Sequence, residues 1–469
     1  MIKKMMVASS GLYFILLTTF LYIILWFLLY DFYSIFTHYN IPLFTLCRVP
    51  DKIFFTILIF ISLSLIYILN YFLISKIGKI SLMIKITVII SLIVSSILNI
   101  LIYPVGAPDI FNYIANCKLA YFHHLNPYLH TFGAFKNDPL VNYSVHINMP
   151  LAYGPLWLIL SYIPFIFSGF RSLLSMFISY RIFTLFFLLV TGIIIYINEE
   201  KDKRWNSLYL FMLNPLVLFE GVGNGHNDMI TTFFLIYSVF KLRKDSVLAL
   251  PFLTMSVLIK FFTLPLLPLY IMEMIRRKWK FKKIILSCIL SGFVIIILFA
   301  PFWSGGHMFK GLINGMASYY TIKGISVFAI LREYMSVNKM PGVSYIKIIF
   351  TVIFIIFLII EISFIKGRFE DKIADITLFF IVTISLYYPW YFIPVFAVLS
   401  ISEDKVNRFY ILIFTFFGMS FYPLTVWFWS YTKLSDDLIY SCLSVIMILP
   451  VIIFFIFRIL RISNKAVTT

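Results

Sequence analysis

Asp109, Asp228 and Lys260 are the side chains here whose surroundings suit proton removal and phosphate binding. Asp109 follows Tyr103-Pro104-Val105-Gly106-Ala107-Pro108 and precedes Ile110-Phe111-Asn112-Tyr113. Pro and Gly halt one helix, and Asp after Pro can cap the next. A cap is one reading. The other is a general base, since a carboxylate in a half-dry cleft has a raised pKa and can accept a proton from an attacking hydroxyl. Asp228 closes a second stretch, Glu220-Gly221-Val222-Gly223-Asn224-Gly225-His226-Asn227-Asp228. Its glycines allow positive φ and close approach to a ligand. A polar hairpin explains Gly, Asn224 and Asn227, but not Glu220, His226 and Asp228 crowded between apolar segments, where ionisable groups are functional candidates. Lys260 sits inside Val257-Leu258-Ile259-Lys260-Phe261-Phe262. Inserting it costs about 3 kcal/mol, so it needs a partner. It either snorkels or meets a phosphate as a point charge.

Weaker candidates surround these. Asn112 and Tyr113 open a juxtamembrane amphipathic helix with an aromatic face, running on to His123 and His124. Adjacent helical residues do not face each other, so these histidines do not suggest a metal site. Tyr153 leads Tyr153-Gly154-Pro155, and His307 ends Trp303-Ser304-Gly305-Gly306-His307. Arg332 could clamp a phosphate, and Trp390 in Tyr387-Tyr388-Pro389-Trp390-Tyr391 could stack on a sugar or a prenyl chain. Interfacial anchoring accounts for such aromatics equally well.

The elements that position these residues must be membrane helices. Of 469 residues 62% are hydrophobic and 12% charged, too little polar surface for a soluble fold of this size. Many apolar runs reach the roughly 20 residues that cross a bilayer core as helix. Continuous apolar blocks exclude a transmembrane barrel, whose segments alternate. The net charge of +18 does not indicate nucleic acid, because Lys and Arg lie between spans, as the positive-inside rule requires. Four scattered cysteines suggest neither a metal site nor a disulfide framework.

That rule predicts an all-α polytopic bundle of about 10–13 transmembrane helices, with both termini cytoplasmic, most simply in the plasma membrane. Spans are expected at about 11–31, 53–72, 83–103, 174–197, 205–221, 228–242, 282–303, 345–365, 408–428 and 437–458. Segment 153–169 reads as shallow, broken or re-entrant, because two full crossings over 153–169 and 173–197 would put Lys201–Arg204 and Lys241–Lys244 on the outer face; 246–272 begins and ends beside inner-face charges yet is too short for two crossings, so it reads as a broken pair, and 373–400 repeats that pattern. Three regions follow: an N-terminal hairpin over 1–82, a central module over 83–303 with outer loop 104–152, and a C-terminal region over 304–469 with outer loop 304–344.

Pro108-Asp109, Tyr153-Gly154-Pro155-Leu156, Asn214-Pro215 with Gly223–Asp228, Leu258–Phe261 with Leu264–Pro268, Pro301–Gly306 and Tyr388–Tyr391 occur in that order. The ordered set resembles the GT-C superfamily of membrane glycosyltransferases, and within it the bacterial polyprenol-phosphate-mannose-dependent mannosyltransferases. The resemblance implies an inverting hexosyltransferase with its active site on the extracytoplasmic face. Its partners would be a polyprenyl-phosphate-sugar donor, a cell-envelope glycan or lipid acceptor, and membrane lipids, with no nucleic acid. Asp109 would be the base, Asp228 would assist, and Lys260 with Arg332 would hold the donor phosphate. Asn112, Tyr113, Tyr153, Glu220, Asn224, His226, Asn227, His307 and Trp390 would line the substrate. A polyprenyl monophosphate leaves readily once a cation meets its charge, so the chemistry requires no metal and no cofactor. In the family the acidic loop follows the first span, whereas Asp109 follows the third, which leaves Asp31 and Asp51 as alternatives. A lipid-linked-sugar flippase and an envelope polysaccharide polymerase or ligase are the competing readings.

Overall fold

The computed structural model describes residues 13, 16–24, 50–76, 80–101, 109–144, 146–169, 172–318 and 325–467. The expected span at 11–31 therefore lies largely outside the described residues, as do Asp31, Cys47 and the Tyr103–Pro108 stretch. Among the described residues the chain is mostly helical, with no strand.

Among the described residues seven helices are long and apolar enough to cross a membrane. They are α1 (Pro50–Lys76), α2 (Leu82–Leu101), α5 (Leu173–Asn198), α10 (Phe281–Phe299), α13 (Val343–Ser363), α16 (Lys405–Tyr431) and α17 (Asp436–Val467). Ile289, Phe293 and Ile296 on α10, and Ile348 and Ile356 on α13, are exposed. Large side chains bared in this way belong in lipid. The chain is an all-α polytopic integral membrane protein.

The remaining helices are short. They are α3 (Asp109–Tyr121), α4 (Pro155–Phe167), α6 (Arg204–Met212), α7 (Asp228–Arg243), α8 (Ala249–Val257), α9 (Leu267–Arg276), α11 (Gly306–Ser318), α12 (Val327–Val337), α14 (Phe369–Thr383) and α15 (Phe392–Ser400). At 1.5 Å per residue the 13 residues of α4 reach only about 20 Å, short of a core of roughly 30 Å. Segment 246–272 is broken as expected, with α8 and α9 separated by a turn at Leu258–Lys260 and a 3₁₀ stretch, Phe261–Leu266. Segment 373–400 breaks between α14 and α15, with a 3₁₀ turn at Pro389–Tyr391.

One expected span is not continuous. The run at 205–221 divides into α6 and a π-helical turn, Val217–Gly223. The cause is Asn214. Its Oδ1 accepts from the backbone N–H of Leu216 (2.9 Å) and Val217 (3.4 Å), starting a new helix past Pro215. Its Nδ2 donates to Thr415 (2.7 Å) and to the Tyr67 hydroxyl (3.3 Å), which fixes the break against α16 and α1.

Helix α7 measures the bundle. Its 16 residues span about 24 Å. At its C-terminal end Arg243 pairs with Glu199 and Glu370, both at 2.8 Å, and donates to the Ile401 carbonyl at 3.2 Å. At its N-terminal end lies Asp228. The acidic, histidine and lysine candidates gather there.

Candidate active site

The site is assembled from four chain breaks. The first is the turn between the π-helical residues and α7. Gly225 has φ +69°, and a Cβ on it would stand 2.8 Å from Ile110 Cδ1. Glycine is favoured there by its backbone angle, and α3 packs against it through Ile110. That approach places Asp109, the first residue of α3, beside His226. Asp109 Oδ2 lies 3.6 Å from His226 Nδ1, and Glu220 Oε2 lies 3.3 Å from His226 Nε2. Asn224 Nδ2 donates to the same Glu220 oxygen at 2.8 Å. The imidazole thus stands between two carboxylates.

The second break carries Lys260. Its Nζ donates to Asp228 Oδ1 at 2.9 Å and Oδ2 at 2.8 Å, and sits 3.9 Å from the centre of the Tyr391 ring. Asp228 is the partner that a lysine at this depth needs. The third break is Tyr153-Gly154-Pro155, which packs directly on the second. Gly154 N–H donates to the Ile259 carbonyl (3.1 Å) and Leu156 N–H to the Leu258 carbonyl (3.0 Å). A Cβ on Gly154 would fall 2.1 Å from the Leu258 oxygen. Glycine here lets the start of α4 brace the peptide that presents Lys260. The fourth break supplies Trp390, whose ring stacks on His226 at 4.0 Å and 17°. Tyr388 stacks on Trp390 in turn, at 4.6 Å and 18°.

Tyr113 ties the first and third breaks together. Its hydroxyl donates to Asn227 Oδ1 at 3.3 Å, and its ring packs edge-on against Tyr153 and Trp157.

Burial pushes the Asp109 carboxyl up to about 6, and the charge of Lys260 offsets only part of that rise. Burial, and then Lys260, holds His226 well below its usual range, so the ring is neutral near pH 7. A neutral imidazole has one N–H and serves one of its two carboxylates at a time. Exposure separates the acids. The Asp109 side chain is 14% exposed, whereas Glu220 and Asp228 are at 0%. Asp109 is the least enclosed of the three carboxylates.

Asp109, Tyr113, Tyr153, Glu220, Asn224, His226, Asn227, Asp228, Lys260 and Trp390 are therefore brought together. Asn112 points elsewhere, accepting from Ser144 Oγ and from His146 N–H, and so holds the following loop. His307 is exposed at the start of α11. Arg332 lies on α12, in a cleft facing the start of α17.

Three residues of the cluster escaped the sequence reading. Tyr391 receives Lys260, although its motif was legible. Tyr422 on α16 interacts with Glu220. Arg181 on α5 is fully buried, stacks on Phe177 at 3.9 Å and donates to the Ile100 carbonyl at 2.6 Å, with its Cγ near Gly225. Arg181 carries the signal that singled out Lys260, a charge in the middle of an apolar run.

Residues 50–276 match the family model described as MptA_B family, alpha-(1->6)-mannopyranosyltransferase, N-terminal domain. That stretch contains Asp109, Glu220, His226, Asp228 and Lys260, but ends before Trp390. No curated protein and no solved structure matches the chain significantly. The family match supports a glycosyltransferase that moves mannose.

Proposed function

We propose that this protein transfers mannose from a polyprenyl-phosphate-mannose donor to a cell-envelope glycan or lipid acceptor, with inversion, on the extracytoplasmic face. The observation that carries the reading is the meeting of the least enclosed carboxylate, Asp109, with the buried Lys260–Asp228 pair at one end of the bundle. The family match supports the sugar; donor, acceptor and stereochemistry belong to the proposal.

In this mechanism an acceptor hydroxyl attacks the anomeric carbon of the donor. Its oxygen forms the new glycosidic bond while the bond from that carbon to the phosphate oxygen breaks. The hydroxyl proton passes to Asp109, and polyprenyl phosphate leaves with the bonding pair. Lys260 faces the phosphate. Two of its three N–H donors are used by Asp228, which orients the ammonium and leaves one donor for the ligand. His226, clamped between Trp390 and Glu220, limits the movement of Asp109. Placed general bases contribute about 10²–10⁴-fold.

The test uses purified protein in nanodiscs, polyprenyl-phosphate-mannose and a panel of manno-oligosaccharide acceptors. Wild type should form a glycosidic bond, and Asp109→Asn should lose about 10²–10⁴-fold of the rate. Undiminished turnover by the variant would remove Asp109 as base. Turnover with a nucleotide sugar but not the lipid donor would discard the donor. Passage of the lipid-linked sugar across vesicles without bond formation would favour a flippase.

A further inference from the structure

The end of the bundle opposite Asp109 carries a patch of positive charge. The loop from α9 to α10 reads Arg276-Arg277-Lys278-Trp279-Lys280-Phe281-Lys282-Lys283, six cations with no acid among them. Trp279 fixes where that loop lies. Its indole N–H donates to Asp245 Oδ1 at 3.0 Å, just beyond Arg243 at the C-terminal end of α7. The loop is therefore separated from Asp228 by the length of α7, on the side expected to face the cytoplasm.

The cations divide into two sets. Three hold the loop. Arg276 donates to the Ile362 carbonyl, Arg277 pairs with Glu273 at 2.9 Å and lies 3.7 Å from Asp245, and the Lys283 ammonium sits 3.9 Å from the centre of the Trp279 ring. The other three, Lys278, Lys280 and Lys282, are exposed, and among the described residues no carboxylate pairs with them. Glu273 and Asp245, the acids at this loop, are already engaged by Arg277 and Trp279. The protein leaves this positive charge unneutralised.

Helix α10 sets the charge at the level of lipid headgroups. Its 19 residues, from Phe281, reach about 28 Å, close to a bilayer core of roughly 30 Å. Phe281 is 75% exposed, and Ile285, Ile289, Phe293 and Ile296 are exposed after it. A ring so bare at the start of a lipid-facing helix belongs at the edge of the acyl layer, and the lysines on either side of it then stand among the headgroups. Positive charge at this end suffices to set topology, but topology calls for no particular arrangement. Unpaired lysines flanking a bared aromatic match the juxtamembrane basic clusters that hold anionic lipid. We propose that Lys278, Lys280 and Lys282, with Phe281, form a binding site for phospholipids of net negative charge in that leaflet. The binding does not depend on the transfer reaction.

The experiment uses the full chain in nanodiscs of equal parts phosphatidylglycerol and phosphatidylcholine with matched acyl chains. Native mass spectrometry reads which lipid the released protein retains. Both lipids carry a phosphate, but only phosphatidylglycerol carries net charge, and wild type should retain it preferentially. Lys278→Gln, Lys280→Gln and Lys282→Gln should each weaken that preference about fivefold, and the triple variant about a hundredfold. Arg276, Arg277 and Lys283 remain in the triple variant to hold the loop. A control, Lys310→Gln with Lys339→Gln and Lys433→Gln, lowers the net charge equally at exposed positions elsewhere and should keep the wild-type preference. Raising the salt should reduce the wild-type preference, because the patch is exposed. No preference in wild type, an unchanged preference in the folded triple variant, or an equal loss in the control overturns the inference. Displacement of the lipid by inorganic phosphate at constant ionic strength also overturns it, in favour of a free anion. Binding of polyglutamate without any lipid preference does so in favour of an acidic protein segment.

Discussion

Replacing Asp109 by Asn should cost the enzyme its rate and make the protein more stable at high pH. The carboxyl shifts from 3.8 to about 6 on folding, chiefly by burial. The folded chain therefore holds the proton more tightly than the unfolded chain, and wild-type stability falls as pH rises from about 3.8 through 6. The full shift corresponds to about 3 kcal/mol at roughly 1.4 kcal/mol per unit. Between pH 5 and pH 8 the part still to be lost is about 1.4 kcal/mol. Asparagine does not titrate and caps a helix about as well as aspartate. It forgoes the attraction between a negative charge and the helix N-terminus, about 0.3–1 kcal/mol, which shifts the comparison equally at pH values above 6. The stability gap between Asp109→Asn and wild type should thus move in the variant's favour by about 1.4 kcal/mol from pH 5 to pH 8. The assay is reversible unfolding of both proteins in mixed micelles across that range. Over the same range wild-type kcat/KM should rise about tenfold per unit below 6 and level off above it. A stability gap independent of pH, with a flat rate profile, would refute the assignment of Asp109 as a buried base.

The other predictions concern the supports of the site. Lys260→Met leaves Asp228 buried without its cation and should cost about 3–5 kcal/mol on unfolding; adding Asp228→Leu should restore much of that stability but none of the activity. Gly154→Ala puts a methyl 2.1 Å from the Leu258 oxygen, so α4 must shift; a loss of about 1–3 kcal/mol and a raised donor KM are expected, and unchanged kinetics would break the link between Gly154 and Lys260. Trp390→Leu removes two ring stacks, each worth about 0.5–1.5 kcal/mol, and should lower kcat more than Tyr388→Leu does, because of these two rings it is Trp390 that stacks on His226.

Much of the fold was legible because the bilayer constrains sequence so strongly. Apolar length located α1, α2, α5, α10, α13, α16 and α17. Inner-face charges at both ends, with too little length for two crossings, pointed to breaks in 246–272 and 373–400, and both segments are broken. The division of 205–221 was not legible, although Asn214-Pro215 was in view. A proline in an apolar run is compatible with a kinked span. What splits this one is the bonding of Asn214 to Tyr67 and Thr415, and those residues lie 147 and 201 positions away.

The site was legible as a list of residues and not as a set of pairings. The insertion cost of Lys260 demands a partner, but several carboxylates in the sequence would satisfy it. The structure supplies Asp228, at the start of α7, and the Leu258–Ile259 peptide just before the lysine is braced by α4 across Gly154. Trp390 shows the same limit. Its place in Tyr388–Tyr391 suggested a face for a sugar or a prenyl chain, yet that ring lies between His226 and Tyr388 and is 6% exposed. A tryptophan held on both faces is better placed to fix the imidazole than to greet a ligand. In a membrane interior every polar group must find a partner, so polar residues in apolar runs disclose that a cluster exists. Which of them meet depends on where the chain can approach itself, and beside Lys260 that approach is the one Gly154 permits.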